Sequence, residues 1–84
     1  MYEVRLARQP ERYYKRVPPA TARQLDNCFD DLHRNPLGSR RVKRLKGFEG
    51  LFRYRVGELR VIFSVDRVDR VVKVMTIGPR RDIY

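Results

Sequence analysis

The sequence has 84 residues, one cysteine and a formal net charge of +10, from 20 Lys/Arg against 10 Asp/Glu. A chain of this length buries only roughly 60% of its unfolded surface, so it should form one domain over residues 1–84, of modest stability. A lone Cys28 excludes an internal disulfide framework and points to a reducing compartment; no run reaches transmembrane length and MYEVRLARQP lacks the apolar stretch of a secretory signal, so a soluble, cytoplasmic protein is expected.

In chain order, Tyr2 to Ala7 (YEVRLA) alternates apolar and polar residues and predicts a first strand. A short helix over Gln9 to Arg16 follows, with Pro10 tolerated in its first turn, and Pro18-Pro19 interrupts it. From Pro19, the positions Ala22, Leu25, Cys28 or Phe29, and Leu32 recur at helical spacing, and Asn35-Pro36 ends this amphipathic helix. The stretch LGSRRVKRLKGFEG combines four Gly or Ser with five basic residues and reads as a loop with a short extended piece at Val42 to Leu45. Then come LFRYRV (Leu51 to Val56) and LRVIFSV (Leu59 to Val65), joined by Gly57-Glu58 in a predicted type II′ turn, and RVVKVMTI (Arg70 to Ile77) after the polar loop Asp66 to Asp69. The expected architecture is α+β: a strand, two helices and a three-stranded antiparallel meander, with the helices on one face of the sheet.

The charge is concentrated in the second half. Residues 1 to 37 hold seven Lys/Arg against five Asp/Glu, whereas residues 38 to 84 hold thirteen against five. Sixteen of the twenty cations are Arg, whose planar fork matches phosphate better than an ammonium does. A polyanion, and specifically nucleic acid, is the partner this pattern predicts. Arg40, Arg41, Lys43, Arg44 and Lys46 in the glycine-rich stretch, with Arg81 near the C-terminus, are candidate phosphate contacts.

A two-residue turn at Gly57-Glu58 sets Val56 opposite Leu59, Arg55 opposite Arg60, Tyr54 opposite Val61 and Arg53 opposite Ile62. Alternation then sends Phe52, Tyr54, Val56, Leu59, Val61 and Phe63 to one face and Arg53, Arg55 and Arg60 to the other. Like charges directly opposite destabilise a sheet, so Arg55 facing Arg60 suggests that an anion belongs between them. The plainer alternative is that both side chains splay into solvent or pair with Glu49 and Asp82.

The segments LKGFEGLFRYRVGELRVIFSVD and VVKVMTIGPRRDIY resemble the second half of RelE-type toxins in the RelE/ParE superfamily. Such proteins show a basic-x-basic strand after an L-x-G segment, a Y-R-hydrophobic strand after a short turn, and a G-x-R followed closely by tyrosine. Arg53-x-Arg55, Leu59-Arg60-Val61 and Gly78-Pro79-Arg80 with Tyr84 stand at those places. The resemblance implies an antitoxin-controlled endoribonuclease that enters the ribosomal A site and cuts translated mRNA without metal or other cofactor. It implies an acidic RelB-like antitoxin as partner beside mRNA and the ribosome. By motif position, Arg53 and Arg55 correspond to a catalytic lysine pair, Arg60 and Arg80 to two arginines, and Tyr84 to a terminal tyrosine.

Arginines in place of lysines at 53 and 55 can stabilise charge but do not readily release a proton to act as bases. Tyr84 would then be the base, if surrounding arginines lower its phenol from about 10. His33, at the end of the amphipathic helix, is expected to cap that helix rather than to act on RNA. No Cys/His or carboxylate group has metal-ligand spacing. Two other functions fit the same residues: a ParE-like inhibitor of DNA gyrase, and a non-catalytic basic RNA- or ribosome-binding module.

Overall fold

The computed structural model describes residues 1–79. Its elements are β1 (Glu3–Leu6), α1 (Arg8–Arg16), α2 (Pro19–Arg34), β2 (Val42–Arg44), β3 (Leu51–Val56), β4 (Leu59–Asp66) and β5 (Val71–Pro79). They form one five-stranded sheet in the order β1-β5-β4-β3-β2. α2 and the meander lie where the apolar periodicities place them, and α1 holds Pro10 in its first turn and ends before Pro18-Pro19. Among the described residues, no helix is long and apolar enough to cross a membrane.

The register of the central hairpin is the expected one: Arg55 pairs with Arg60, Tyr54 with Val61 and Val56 with Leu59. At the turn only Gly57 takes a positive φ, +54°, and Glu58 does not, the pattern of a type II′ turn. Two features lie beyond the sequence reading. The extended piece near Val42 is a paired strand, antiparallel to β3, with Lys43 opposite Arg53. The first strand joins the far edge in parallel with β5, Glu3 opposite Val71 through Leu6 opposite Val74. That parallel pairing requires the chain to cross over between β1 and β5, and α1 and α2 lie in this connection. The last strand also runs past Ile77 to Pro79, with Gly78 opposite Arg60. Pro79 has no N–H to donate and sits at the strand's end, where this lack is tolerated.

The main core lies between the helices and one face of the sheet. Leu25, Cys28 and Leu32 of α2 meet Tyr54, Val56, Val61, Phe63, Val72, Val74 and Ile77, all buried. Phe52 and Phe63 stack across β3 and β4 at 5.8 Å between ring centroids. Cys28 rather than Phe29 is the helix residue sealed inside. The Tyr54 hydroxyl donates to the Asp31 carboxylate of α2, which ties β3 to the helix layer. His33 does not cap its own helix: its Nδ1 lies 2.6 Å from the Tyr2 carbonyl. The Tyr2 N–H in turn donates to the His33 carbonyl at 2.8 Å, so the helix end is bound to the start of β1.

Burial, with Asp31 nearby, pushes the Cys28 thiol well above its ordinary value of 9.0. Burial and the bond to Asp31 likewise push the Tyr54 phenol up from 10.0. The folded state keeps both protons at a pH where the unfolded chain releases them. Their contribution to stability is therefore complete below about pH 9 and is lost as pH rises further. Urea denaturation from pH 7 to 11 should show the unfolding free energy declining above about pH 9, by up to roughly 1.4 kcal/mol per pH unit from the thiol. Cys28→Ala should flatten the first part of that decline; an unchanged slope would refute the assignment.

Candidate nucleic-acid interface

The sheet face turned away from the helices is organised in rows by strand pairing. Arg55 of β3 pairs with Arg60 of β4, and Arg60 with Gly78 of β5. On the other side the Arg55 N–H donates to the Arg41 carbonyl at 3.2 Å, continuing the ladder one residue before β2 and setting Arg41 level with Arg55. The next row is Lys43, Arg53, Ile62 and Thr76. Arginine or lysine thus occupies neighbouring positions on three adjacent strands, where opposite side chains are about 5 Å apart at Cβ.

These side chains enclose a hollow of about 310 Å³ lined by Arg40, Arg41, Lys43, Arg53, Arg55 and Arg60. Every one of these is a cation. The carboxylates in ion pairs among the described residues, Glu3 with Arg5 and Glu11 with Lys15, belong to β1 and α1. Glu49 forms no ion pair with a described residue, so it does not neutralise Arg55. Arg55 is exposed and Arg60 is partly buried. Gly78 beyond Arg60 offers no side chain to cover it.

A second hollow of about 360 Å³ adjoins the first and shares Arg53 and Arg60 with it, while Arg44 and Lys46 close its other side. Leu45, Ile62 and Leu51 form a small apolar cluster here, with Leu45 and Ile62 buried. The glycine-rich stretch folds back to make this cluster: Leu45 N–H donates to the Leu51 carbonyl at 2.9 Å, and Gly47 and Gly50 take positive φ values of +86° and +79° in the turn between. Five predicted phosphate contacts from this stretch therefore surround the arginines of the hairpin. Arg80, Arg81 and Tyr84 lie outside the described residues.

Sequence reasoning missed Gln9. Its side-chain amide stands where a neighbouring strand would be beside the end of β5: Nε2 donates to the Ile77 carbonyl at 2.7 Å, and Oε1 accepts from the Ile77 N–H at 2.8 Å and from Thr76 Oγ1 at 3.1 Å. Gln9 thus holds the strand segment that leads to Arg80. No local signal marks it, because its partners are 67 and 68 residues away. The lining side chains of the hollow are all anion-binding types, and the described residues hold no group of three or more His, Cys, Asp or Glu able to bind a metal ion. They also place no histidine or carboxylate in the hollow.

Residues 4–84 match the family described as the ParE toxin of the type II toxin–antitoxin system parDE. A Methanocaldococcus jannaschii protein designated toxin RelE1 is 31% identical over 72 residues, covering 83% of this chain and 80% of that protein. The chain belongs to the RelE/ParE family. It is the toxin of a type II toxin–antitoxin system. The RelE chain of a RelE–RelB complex from Pyrococcus horikoshii OT3 is similar at 31% identity and a TM-score of 0.82, over 94% of each chain. The toxin–antitoxin complex RelBE2 from Mycobacterium tuberculosis contains a chain 30% identical, with a TM-score of 0.76, over 94% of this chain and 98% of that one. Isolated Escherichia coli RelE shares the fold, with a TM-score of 0.77 at 16% identity.

The Arg55–Arg60 pair gives the RelE/ParE sheet a separable signature in stability and binding. Arg55→Ala removes a like-charge neighbour from an exposed position, so thermal unfolding should show unchanged or slightly raised stability, by up to about 1 kcal/mol. Titration of the same variant with a short single-stranded RNA should show weaker binding. A large loss of stability would mean that Arg55 is held by contacts within the protein rather than kept for an anion.

Proposed function

We propose that this toxin is a metal-independent endoribonuclease that cuts translated mRNA in the ribosomal A site. The observation that carries the proposal is the all-cationic hollow formed by Arg40, Arg41, Lys43, Arg53, Arg55 and Arg60. In the reaction, the 2′-oxygen attacks the adjacent phosphorus and the bond to the 5′-oxygen breaks, leaving a 2′,3′-cyclic phosphate and a 5′-hydroxyl. Negative charge grows on the phosphorane, and preorganised guanidinium groups stabilise it more than they stabilise the starting diester. Arg53, Arg55 and Arg60 serve this role, with Arg80 as a further electrostatic stabiliser. Tyr84, in its phenolate form, accepts the 2′-proton, and the leaving 5′-oxygen takes a proton from solvent. Arg44, Lys46 and Arg81 hold the flanking phosphates.

The relatives solved as RelE–RelB assemblies support an acidic RelB-like antitoxin as the partner of this chain, and its charge of +10 fits such a partner. Covering the arginine face would both neutralise the like-charge cluster and exclude RNA. A cytoplasmic site of action follows from the same reading, as does a single catalytic unit spanning residues 1–84.

The test is incubation of purified protein with translating ribosomes in the presence of a chelator. The message should be cut to ends bearing cyclic phosphate and 5′-hydroxyl, and Arg60→Ala should lower cutting by about 10²-fold or more while its circular dichroism stays native. Message left intact by the folded wild-type protein overturns the enzyme reading. The ParE description of the matched family favours a second reading, inhibition of DNA gyrase; gyrase poisoning together with intact message would select it.

A further inference from the structure

Helix α1 carries a second cationic groove that shares no residue with the hollows of the sheet. Arg8, Arg12 and Arg16 follow one another at four-residue spacing and therefore share one stripe of the helix. With Gln9 and Tyr13 they line a hollow of about 380 Å³. All three arginines are exposed, and none makes an ion pair with a described residue. The one carboxylate of α1, Glu11, stands 3.5 Å from Lys15. The nearby Asp26 of α2 accepts a hydrogen bond from Tyr14 at 2.7 Å.

Arg16 in the last turn complements the helix dipole, but Arg8 and Arg12 gain nothing of that kind. Like charges four residues apart destabilise a helix, and Arg8 sits in the first turn, where the helix dipole already presents positive charge. A stripe that opposes local stability on an exposed helix face is a surface suited to an anion. Four residues advance about 6 Å along the axis, comparable with the step between consecutive phosphates on one nucleic-acid strand, so three guanidinium forks can meet three successive phosphates. Tyr13 adds an aromatic wall.

The two cationic surfaces are built on different elements. α1 packs against β5 and β1 at one edge of the sheet, and its Tyr13 joins the main core. The sheet hollow belongs to β2, β3 and β4 on the opposite face. The two hollows share no residue, so the second can hold a stretch of RNA other than the one on the sheet.

We propose that the α1 groove is a second RNA-backbone site, which grips a structured RNA segment while the sheet holds the strand to be cut. For a toxin acting on a ribosome-bound message, that segment is RNA of the ribosome. The identity of the polyanion rests on the RNA reading above; the existence of the groove does not. Three proteins compare the outcomes: wild type, Arg8→Gln/Arg12→Gln/Arg16→Gln, and the sheet variant Arg53→Ala/Arg55→Ala/Arg60→Ala. Each is titrated by fluorescence anisotropy with a stem–loop RNA and with polyglutamate, across a salt series. The α1 variant should bind the stem–loop about tenfold more weakly, with a salt slope smaller by about 2 from three lost phosphate contacts. The sheet variant should keep RNA binding that disappears when the α1 substitutions are added.

RNA binding by the α1 variant within twofold of wild type, with the same slope, overturns the proposal. So does a loss confined to polyglutamate, which would assign the groove to an acidic polypeptide. If instead the sheet variant binds RNA as wild type does while the α1 variant is weakened, the sheet reading fails and the α1 site stands. Glutamine keeps helix propensity, and the single reversal Arg12→Glu supplies the same comparison if the triple variant is not folded.

Discussion

The register of the β3–β4 hairpin is the constraint on which the rest of the molecule depends. A two-residue turn at Gly57-Glu58 fixes Arg55 opposite Arg60 and, by the same step, Tyr54 opposite Val61. A slip of one residue would carry the arginines into the core and Tyr54, Val56, Val61 and Phe63 out of it. The magnitudes decide the contest. A like-charge pair across two strands destabilises by about 0.2–1 kcal/mol, whereas each large apolar side chain removed from water contributes about 1.5–3 kcal/mol. The buried face therefore holds the cationic face in an arrangement it would not adopt alone.

The neighbouring elements extend that arrangement on both sides. β2 brings Lys43 beside Arg53, and the turn carrying Gly47 and Gly50 folds Leu45 over Ile62, so the cations surround a short apolar patch rather than a uniformly charged plane. On the other side, β1 ends opposite Val74 and α1 begins, leaving the last part of β5 without a strand neighbour on that side. The Gln9 amide satisfies the Ile77 backbone there. An unsatisfied backbone group in a partly buried place costs about 1–3 kcal/mol, so this contact is a structural requirement as well as an anchor for the segment leading to Arg80.

Cation density on this small toxin links its folding to its partners. Repulsion within the arginine rows and along α1 lowers the stability of the isolated protein, and any anion that binds the folded state alone raises it. RNA phosphates and antitoxin carboxylates would both do so. If the proposed RNA binding holds, competition between two polyanions for the same rows is a simple way for an antitoxin to control this cationic surface, without any change in the fold.

The sequence alone determined the elements whose signals are local. Periodicity placed α2 and the three meander strands, and the Gly57-Glu58 turn determined which residues meet across the hairpin, so Arg53, Arg55 and Arg60 could be grouped without a structure. Only the tertiary structure decided what depends on contacts between distant segments. β2 is three residues long and shows no alternation strong enough to separate it from a basic loop; its pairing with β3 makes it a strand. The parallel docking of β1 on β5, the Gln9 contact to Ile77 and the bond between His33 and Tyr2 all join residues more than thirty positions apart. Hydrogen-bond partners at such separations leave no periodic trace in a chain. Charge composition predicted a polyanion, but the division of the cations between two surfaces arose from packing α1 at one edge of the sheet and turning the arginine rows to the opposite face.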